Sequence, residues 1–217
     1  MQRRWPQRLW YEFLRYAAWL AAIPYLGLRA RGTRKFPATG GVLVLANHQS
    51  NADPPLIGCV CPRRMNYLAR ESLFHHPWFR WLILSLDAIP IDREGLGLEG
   101  IKQTMKRLKA GEVVLMFPEG TRTPHGRVQP LKPGFLALVR RTGAAIVPVG
   151  LAGLYEAWPR SHSWPSPGWV QIEYGEPLFP QEIQGYDDDT LLAELTRRLT
   201  ACQATAQALR AKRQEPL

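Results

Sequence analysis

His48 and Asp53 stand with four residues between them in the block Asn47-His48-Gln49-Ser50-Asn51-Ala52-Asp53-Pro54, directly after the apolar run 41–46. Across a strand-to-helix turn two such side chains can meet. The carboxylate then accepts from one ring nitrogen and leaves the other free to take a proton, which makes a general base with its orienting partner. Asp53 also suits a helix N-cap, with Pro54 at the first helical position, and the two roles are compatible.

Three further blocks carry residues suited to a site. Ile89-Pro90-Ile91-Asp92-Arg93 ends an apolar run with a charge pair, where Arg93 is placed either to meet a phosphate or to pair with Asp92 or Glu94. Phe117-Pro118-Glu119-Gly120-Thr121-Arg122 follows the run 112–116. In it Gly120 permits a sharp turn, Thr121 offers donors, and Arg122 has the planar fork that phosphate recognition uses, with Glu119 placed to hold that arginine. A tight turn with an exposed ion pair is the plainer reading of that block. Val147-Pro148-Val149-Gly150 lies inside an apolar run, lining an apolar slot or filling the core.

These blocks must be positioned by regular elements. Short apolar runs read as strands at 41–47, 64–69, 87–91, 112–117, 144–151 and 169–174. Helices are expected at 96–110, with Leu98, Ile101, Met105 and Leu108 on one face and Gly111 as a stop, at 132–142 ending at Gly143, and at 188–212. The alternation predicts an α/β fold with a central, mostly parallel or mixed sheet flanked by helices, and the polar residues after strands fall where such sheets present their sites.

A chain of 217 residues without low-complexity stretches fits one α/β domain over 36–217, preceded by a basic and apolar segment over 1–35. Of the net charge of +10, much is local: Arg3, Arg4, Arg8, Arg15, Arg29, Arg31, Arg34 and Lys35 face a single acid, Glu12. The uncharged run 16–28, broken by Pro24, falls short of the about 20 residues needed to cross a bilayer. With Trp10, Trp19 and Tyr25 beside arginines, it predicts a helical element lying in a membrane interface, the alternative being a helix packed on the core. A signal peptide is disfavoured because Leu28 leads into Arg29-Ala30-Arg31-Gly32 without a small-residue cleavage site. Cys59, Cys61 and Cys202 show no disulfide or metal spacing, so reduced thiols and the cytoplasmic side are expected, with no metal. His75, His76, His125 and His162 read as turn or surface residues. The positive charge lies on no recognisable nucleic-acid recognition element, so no nucleic-acid partner is expected.

Taken in order, NHQSNADP, IPIDR, FPEGTR and VPVG resemble the glycerolipid acyltransferase family, which contains the 1-acylglycerol-3-phosphate acyltransferases. The match spans 41–150, about half the chain, and departs where Asp87 replaces a frequent glycine. The resemblance implies direct attack by the sn-2 hydroxyl of lysophosphatidic acid on an acyl thioester, giving phosphatidic acid. Acyl-coenzyme A or acyl carrier protein enters as co-substrate, and no resident cofactor is implied. His48 would be the base and Asp53 its partner, with turn amides near the first block as donors to the oxyanion. Arg93, Glu119, Gly120, Thr121 and Arg122 would shape the acceptor phosphate site, with Lys132 a further candidate, and Val147 and Pro148 would be acyl-lining or structural. Consistent with direct transfer, no Gly-x-Ser-x-Gly elbow is present. Membrane lipids are the implied partners, at the cytoplasmic face. Another lysolipid acceptor, such as a lyso-ornithine lipid, and a membrane-binding protein without catalysis are the alternatives.

Overall fold

In a computed structural model of the chain, residues 5–86, 88–91 and 97–214 are described, with backbone alone for 5–8, 70 and 79. The elements in order are α1 (Trp5–Leu26), β1 (Arg29–Arg31), β2 (Val42–Ala46), α2 (Asp53–Val60), β3 (Met65–Arg70), α3 (Pro77–Ser85), β4 (Ala88–Ile91), α4 (Gly97–Lys109), β5 (Val113–Met116), α5 (Leu136–Thr142), β6 (Ala145–Ala152), α6 (Leu154–Ala157), β7 (Gln171–Tyr174), α7 (Pro180–Gln184) and α8 (Asp188–Ala211).

The strands form one sheet in the order β1-β7-β6-β2-β5-β3-β4. Strands β4, β3, β5, β2 and β6 run parallel, while β7 is antiparallel to β6 and parallel to β1. The expected mostly parallel α/β sheet is the one observed. Central strands are continuously apolar because both faces are covered. Along β2, Val42, Val44 and Ala46 point to the side of α1 and α2, whereas Leu43 and Leu45 point to the side of α4, α5 and α8. Leu191, Leu195 and Leu199 of α8 join that second core, and the Asp187 side chain caps the helix by accepting from Thr190 N at 2.7 Å.

Three details differ from expectation. β1 was not anticipated: its pattern of Arg, Ala, Arg is that of a short edge strand, exposed except at Ala30. The helix expected over 132–142 opens as a 3-10 turn at Pro133–Phe135, with Pro133 in the first turn where its missing N–H costs nothing, before α5 begins. Leu98 is exposed at the start of α4, although Ile101 and Met105 pack on the core and Leu108 is buried.

α1 is docked on the body by its buried face. Tyr11 is buried, its hydroxyl accepts from Met65 N at 3.1 Å and meets the Tyr67 hydroxyl at 3.3 Å, and Arg15 Nη1 donates to the Cys61 carbonyl at 3.1 Å. No helix of the described residues is long and apolar enough to cross a membrane.

Candidate active site

β2 and β5 are adjacent and parallel, with Leu45 level with Met116, so the loops that leave their carboxyl ends emerge side by side. One loop carries His48 and the other carries Phe117 to Arg122. The Thr123 amide donates to the His48 carbonyl at 2.7 Å and ties the two together. Two of the separated sequence blocks thus form one site at the carboxyl edge of the sheet, as parallel sheets commonly arrange.

His48 Nδ1 lies 2.7 Å from Asp53 Oδ2, the ring part-exposed and the carboxylate fully buried. The same oxygen accepts from Gln49 N at 2.6 Å and Ser50 N at 2.8 Å, while Oδ1 has no hydrogen-bond partner among the described residues. Burial pushes the Asp53 carboxyl above the ordinary carboxylate range, opposed by the His48 ring and by the Ser50 and Gln49 amides. An ionised Asp53 accepts only, so Nδ1 carries the proton and Nε2 is left with its lone pair. The helix N-cap is Ala52, not Asp53: the carboxylate turns back to amides three and four residues earlier and to His48, and helix α2 starts with Asp53 itself. The Phe117 ring stacks on the imidazole with centroids 4.0 Å apart and planes at 17°.

Glu119 braces the base from the other loop. Only 3% exposed, it accepts His48 N on Oε1 at 2.8 Å and Gln129 N on Oε2 at 3.0 Å. Burial raises its carboxyl to about 7 against the two amides, with Asp53 adding to the rise. Holding Arg122 was the sequence reading; bridging the His48 loop to the 129 strand of loop is what these distances give. Amides of His48, Gln49 and Ser50 are therefore committed to Glu119 and Asp53, and those of Ala52 and Asp53 to Ser50. The expectation that this turn supplies oxyanion donors is corrected for those five: its donors hold the two carboxylates and the turn itself.

Gly120 has φ +72, and a Cβ there would sit 2.9 Å from Lys132 Nζ, so the Lys132 side chain lies across the turn. Thr121 is exposed and Arg122 half-buried beside Thr123. Arg93, with Asp92 and Asp87, lies outside the described residues. Val147 and Pro148 are buried within β6, level with Val44 and Leu45 of β2, and Val147 belongs to the core under α1 and α2. Gly150 in the same strand permits close packing: a Cβ would stand 2.2 Å from the backbone of Cys202 and Gln203 in α8.

Several positioning residues went unassigned in the sequence. Asn47 extends the sheet by exchanging two bonds with Leu151, at 3.1 and 2.7 Å. Gln49 accepts from Leu154 N and Tyr155 N and donates to Gly126 O, which also accepts from Gln203 Nε2 at 2.7 Å. His125, exposed as expected, stands 3.4 Å from Gln129 Nε2. Asn47 and Gln49 flank His48, and buried amides beside a catalytic-looking residue were the available signal. Gln203 gave none, because its partners Val128 and Gly126 lie far along the chain. Among the described residues no group of three or more His, Cys, Asp or Glu is placed to hold a metal ion.

Comparison with known proteins gives the family of the chain. A family model described as Acyltransferase matches residues 27–152. The 1-acyl-sn-glycerol-3-phosphate acyltransferase of Bacillus subtilis is 29% identical over 174 residues, covering 80% of this chain and 84% of the relative. That of Pseudomonas aeruginosa is 33% identical over 208 residues, covering 90% and 77%. The crystal structure of PlsC, the 1-acyl-sn-glycerophosphate (LPA) acyltransferase from Thermotoga maritima, superposes with a TM-score of 0.80 at 26% identity, over 97% of this chain and 84% of that one. With the family match spanning more than half its length and the relatives aligned along most of it, this chain belongs to the acyltransferase family.

Proposed function

We propose that the protein transfers a fatty acyl group from an acyl thioester to the sn-2 hydroxyl of lysophosphatidic acid, making phosphatidic acid. The carrying observation is the buried Asp53 holding Nδ1 of a part-exposed His48, in a chain whose relatives are named for that reaction. His48 Nε2 takes the acceptor's hydroxyl proton as its oxygen attacks the thioester carbon. The tetrahedral oxyanion collapses with cleavage of the carbon–sulfur bond, and the proton on His48 passes to the departing thiolate. Asp53 stabilises the imidazolium formed between these steps. Phe117 and Glu119 fix the ring and its backbone. Arg122, with Arg93 and Lys132, receives the acceptor phosphate, for which a guanidinium fork is suited.

Coenzyme A or acyl carrier protein delivers the acyl group as co-substrate, and the basic surface suits the anionic character of either. The enzyme works at a membrane surface, on its cytoplasmic face, held by the basic and apolar N-terminal segment. Support comes from the exposed apolar side chains of α1 and from three buried free thiols, which suit a reducing compartment.

The test is transfer of labelled acyl groups from acyl-coenzyme A and from acyl carrier protein to lysophosphatidic acid, with His48→Ala alongside. Wild type forms phosphatidic acid and the variant loses about 10²-fold or more, as for loss of a general base. Product formed only from another lysolipid overturns the acceptor; an undiminished His48→Ala rate overturns the base.

A further inference from the structure

We propose that α3 is a second membrane-inserted element, forming with the outward face of α1 one apolar platform seated in the interfacial layer of an anionic phospholipid leaflet. This rests on the membrane-surface reading above and goes beyond it, because that reading concerns only the first 35 residues.

α1 is apolar on two opposite sides. Tyr11, Ala18, Ala22 and Leu26 face the body, and Leu9, Phe13, Tyr16, Leu20 and Ile23, about half a turn away, face outward. Phe13 and Leu20 are 61% and 63% exposed. A helix of this kind requires an apolar phase on its outer side, since an aqueous helix keeps that side polar. α3 adds Trp78, Trp81 and Leu84 at helical spacing, the tryptophans 69% and 60% exposed. Trp10 joins the two helices. Its ring stacks on Phe13 at 5.7 Å, approaches Trp81 at 5.4 Å, and its Nε1 donates to Ser85 Oγ at 3.0 Å. Contiguous exposed apolar surface of this extent marks an interaction site, and tryptophan and tyrosine concentrate at the headgroup level of bilayers.

Charge selects the occupant. α3 itself carries Arg80 and no acid, with Glu71 before it and Asp87 after it in the sequence, and the one acid of α1, Glu12, is paired with Arg15 at 2.9 Å. The basic excess lies in residues 1–35, where eight arginines and lysines face the single acid Glu12, so a second copy would bring two like-charged segments together whereas an anionic leaflet complements them. The platform is fixed relative to the site, because Tyr11 and Arg15 bond α1 to the body and α3 follows β3, a neighbour of β5 in the sheet.

Spin labels attached through Phe13→Cys, Trp78→Cys, Trp81→Cys and, as an aqueous reference on α4, Lys102→Cys test this, the three native cysteines being buried. With phosphatidylcholine vesicles containing phosphatidic acid, labels at 13, 78 and 81 are expected to relax preferentially with oxygen and the label at 102 with an aqueous nickel chelate. Immersion at 13 with water at 78 and 81 overturns the role of α3 while the membrane reading stands. Water at all three positions removes both. Intermolecular spin broadening at 78 and 81 in place of immersion assigns a second copy and also overturns it. In parallel, Trp78→Ser/Trp81→Ser is expected to weaken vesicle partition about tenfold while transfer to a water-soluble short-chain acceptor is unchanged; undiminished partition refutes the inference.

Discussion

Asp53→Asn isolates the charge behind the base. The asparagine carbonyl can take the place of Oδ2 and keep His48 Nδ1, Gln49 N and Ser50 N as donors, while its amide occupies the place of Oδ1, which has no partner among the described residues. Ring orientation and tautomer survive, and only the negative charge is lost. A buried amide without a partner costs about 1–3 kcal/mol, offset by no longer burying a carboxylate, so the fold should tolerate the change. The imidazolium formed in transfer loses its counter-charge. At about 4 Å between charge centres and an effective dielectric of about 20, that attraction is about 4 kcal/mol, or roughly 10³-fold in rate.

The assay is release of coenzyme A thiol at saturating acceptor, read with a thiol reagent. The enzyme's own thiols interfere little, being buried, with burial raising each to about 11. Asp53→Ala serves as contrast, because it strips the acceptor from two buried backbone amides as well and should destabilise the fold. A folded Asp53→Asn within about tenfold of wild type would show that the carboxylate's charge does not act on the imidazolium.

Glu119→Gln reports on the second carboxylate. Burial raises the folded-state value from 4.5 to about 7, so the proton-linked stabilisation is fully present below pH 4.5 and is lost as pH rises through 7. Glutamine does not titrate, and wild type should therefore lose on the order of 2 kcal/mol relative to the variant between pH 4.5 and pH 8, measured by urea unfolding; a constant difference refutes the assignment. Gly150→Ala should lower the thermal midpoint by several degrees, since its Cβ would meet α8 backbone at 2.2 Å and β6 and α8 must separate, at a cost of about 1–3 kcal/mol. Arg122→Lys should raise KM for lysophosphatidic acid about tenfold with a smaller change in kcat, because a point charge replaces a fork; an unchanged KM removes Arg122 from the phosphate.

The individual strands and the base were legible because each depends on short sequence distance. β2 is a run of apolar residues whichever face is viewed, and His48 and Asp53 meet within one turn. The braces were less legible. Glu119 reaches His48 across 71 positions and Gln203 reaches Gly126 across 77, contacts made only because β2 is threaded between β5 and β6. Glu119 was read beside its sequence neighbour Arg122, whereas strand order gives it the amide of His48. Val147 and Pro148 are equally apolar in the sequence, and only the fold distinguishes them: both are buried in β6, and Val147 joins the core under α1 and α2. β1 was hidden by its own arginines, which make an edge strand look like a basic leader.

Both buried carboxylates act on His48 by separate routes, Asp53 through the ring and Glu119 through the backbone that carries it. Their effects should then be coupled. Once Glu119→Gln has loosened the amide of His48, the ring no longer sits squarely on Asp53 Oδ2, and the charge removed by Asp53→Asn has less left to stabilise. The rate loss of the double variant should fall short of the product of the single losses by about tenfold, a coupling of about 1.4 kcal/mol. Independent sites would give the full product. A purely multiplicative result, with both single variants folded and impaired, would mean that Glu119 acts elsewhere, on the 129 loop or on the acceptor, and that the bond to the His48 amide is structural only.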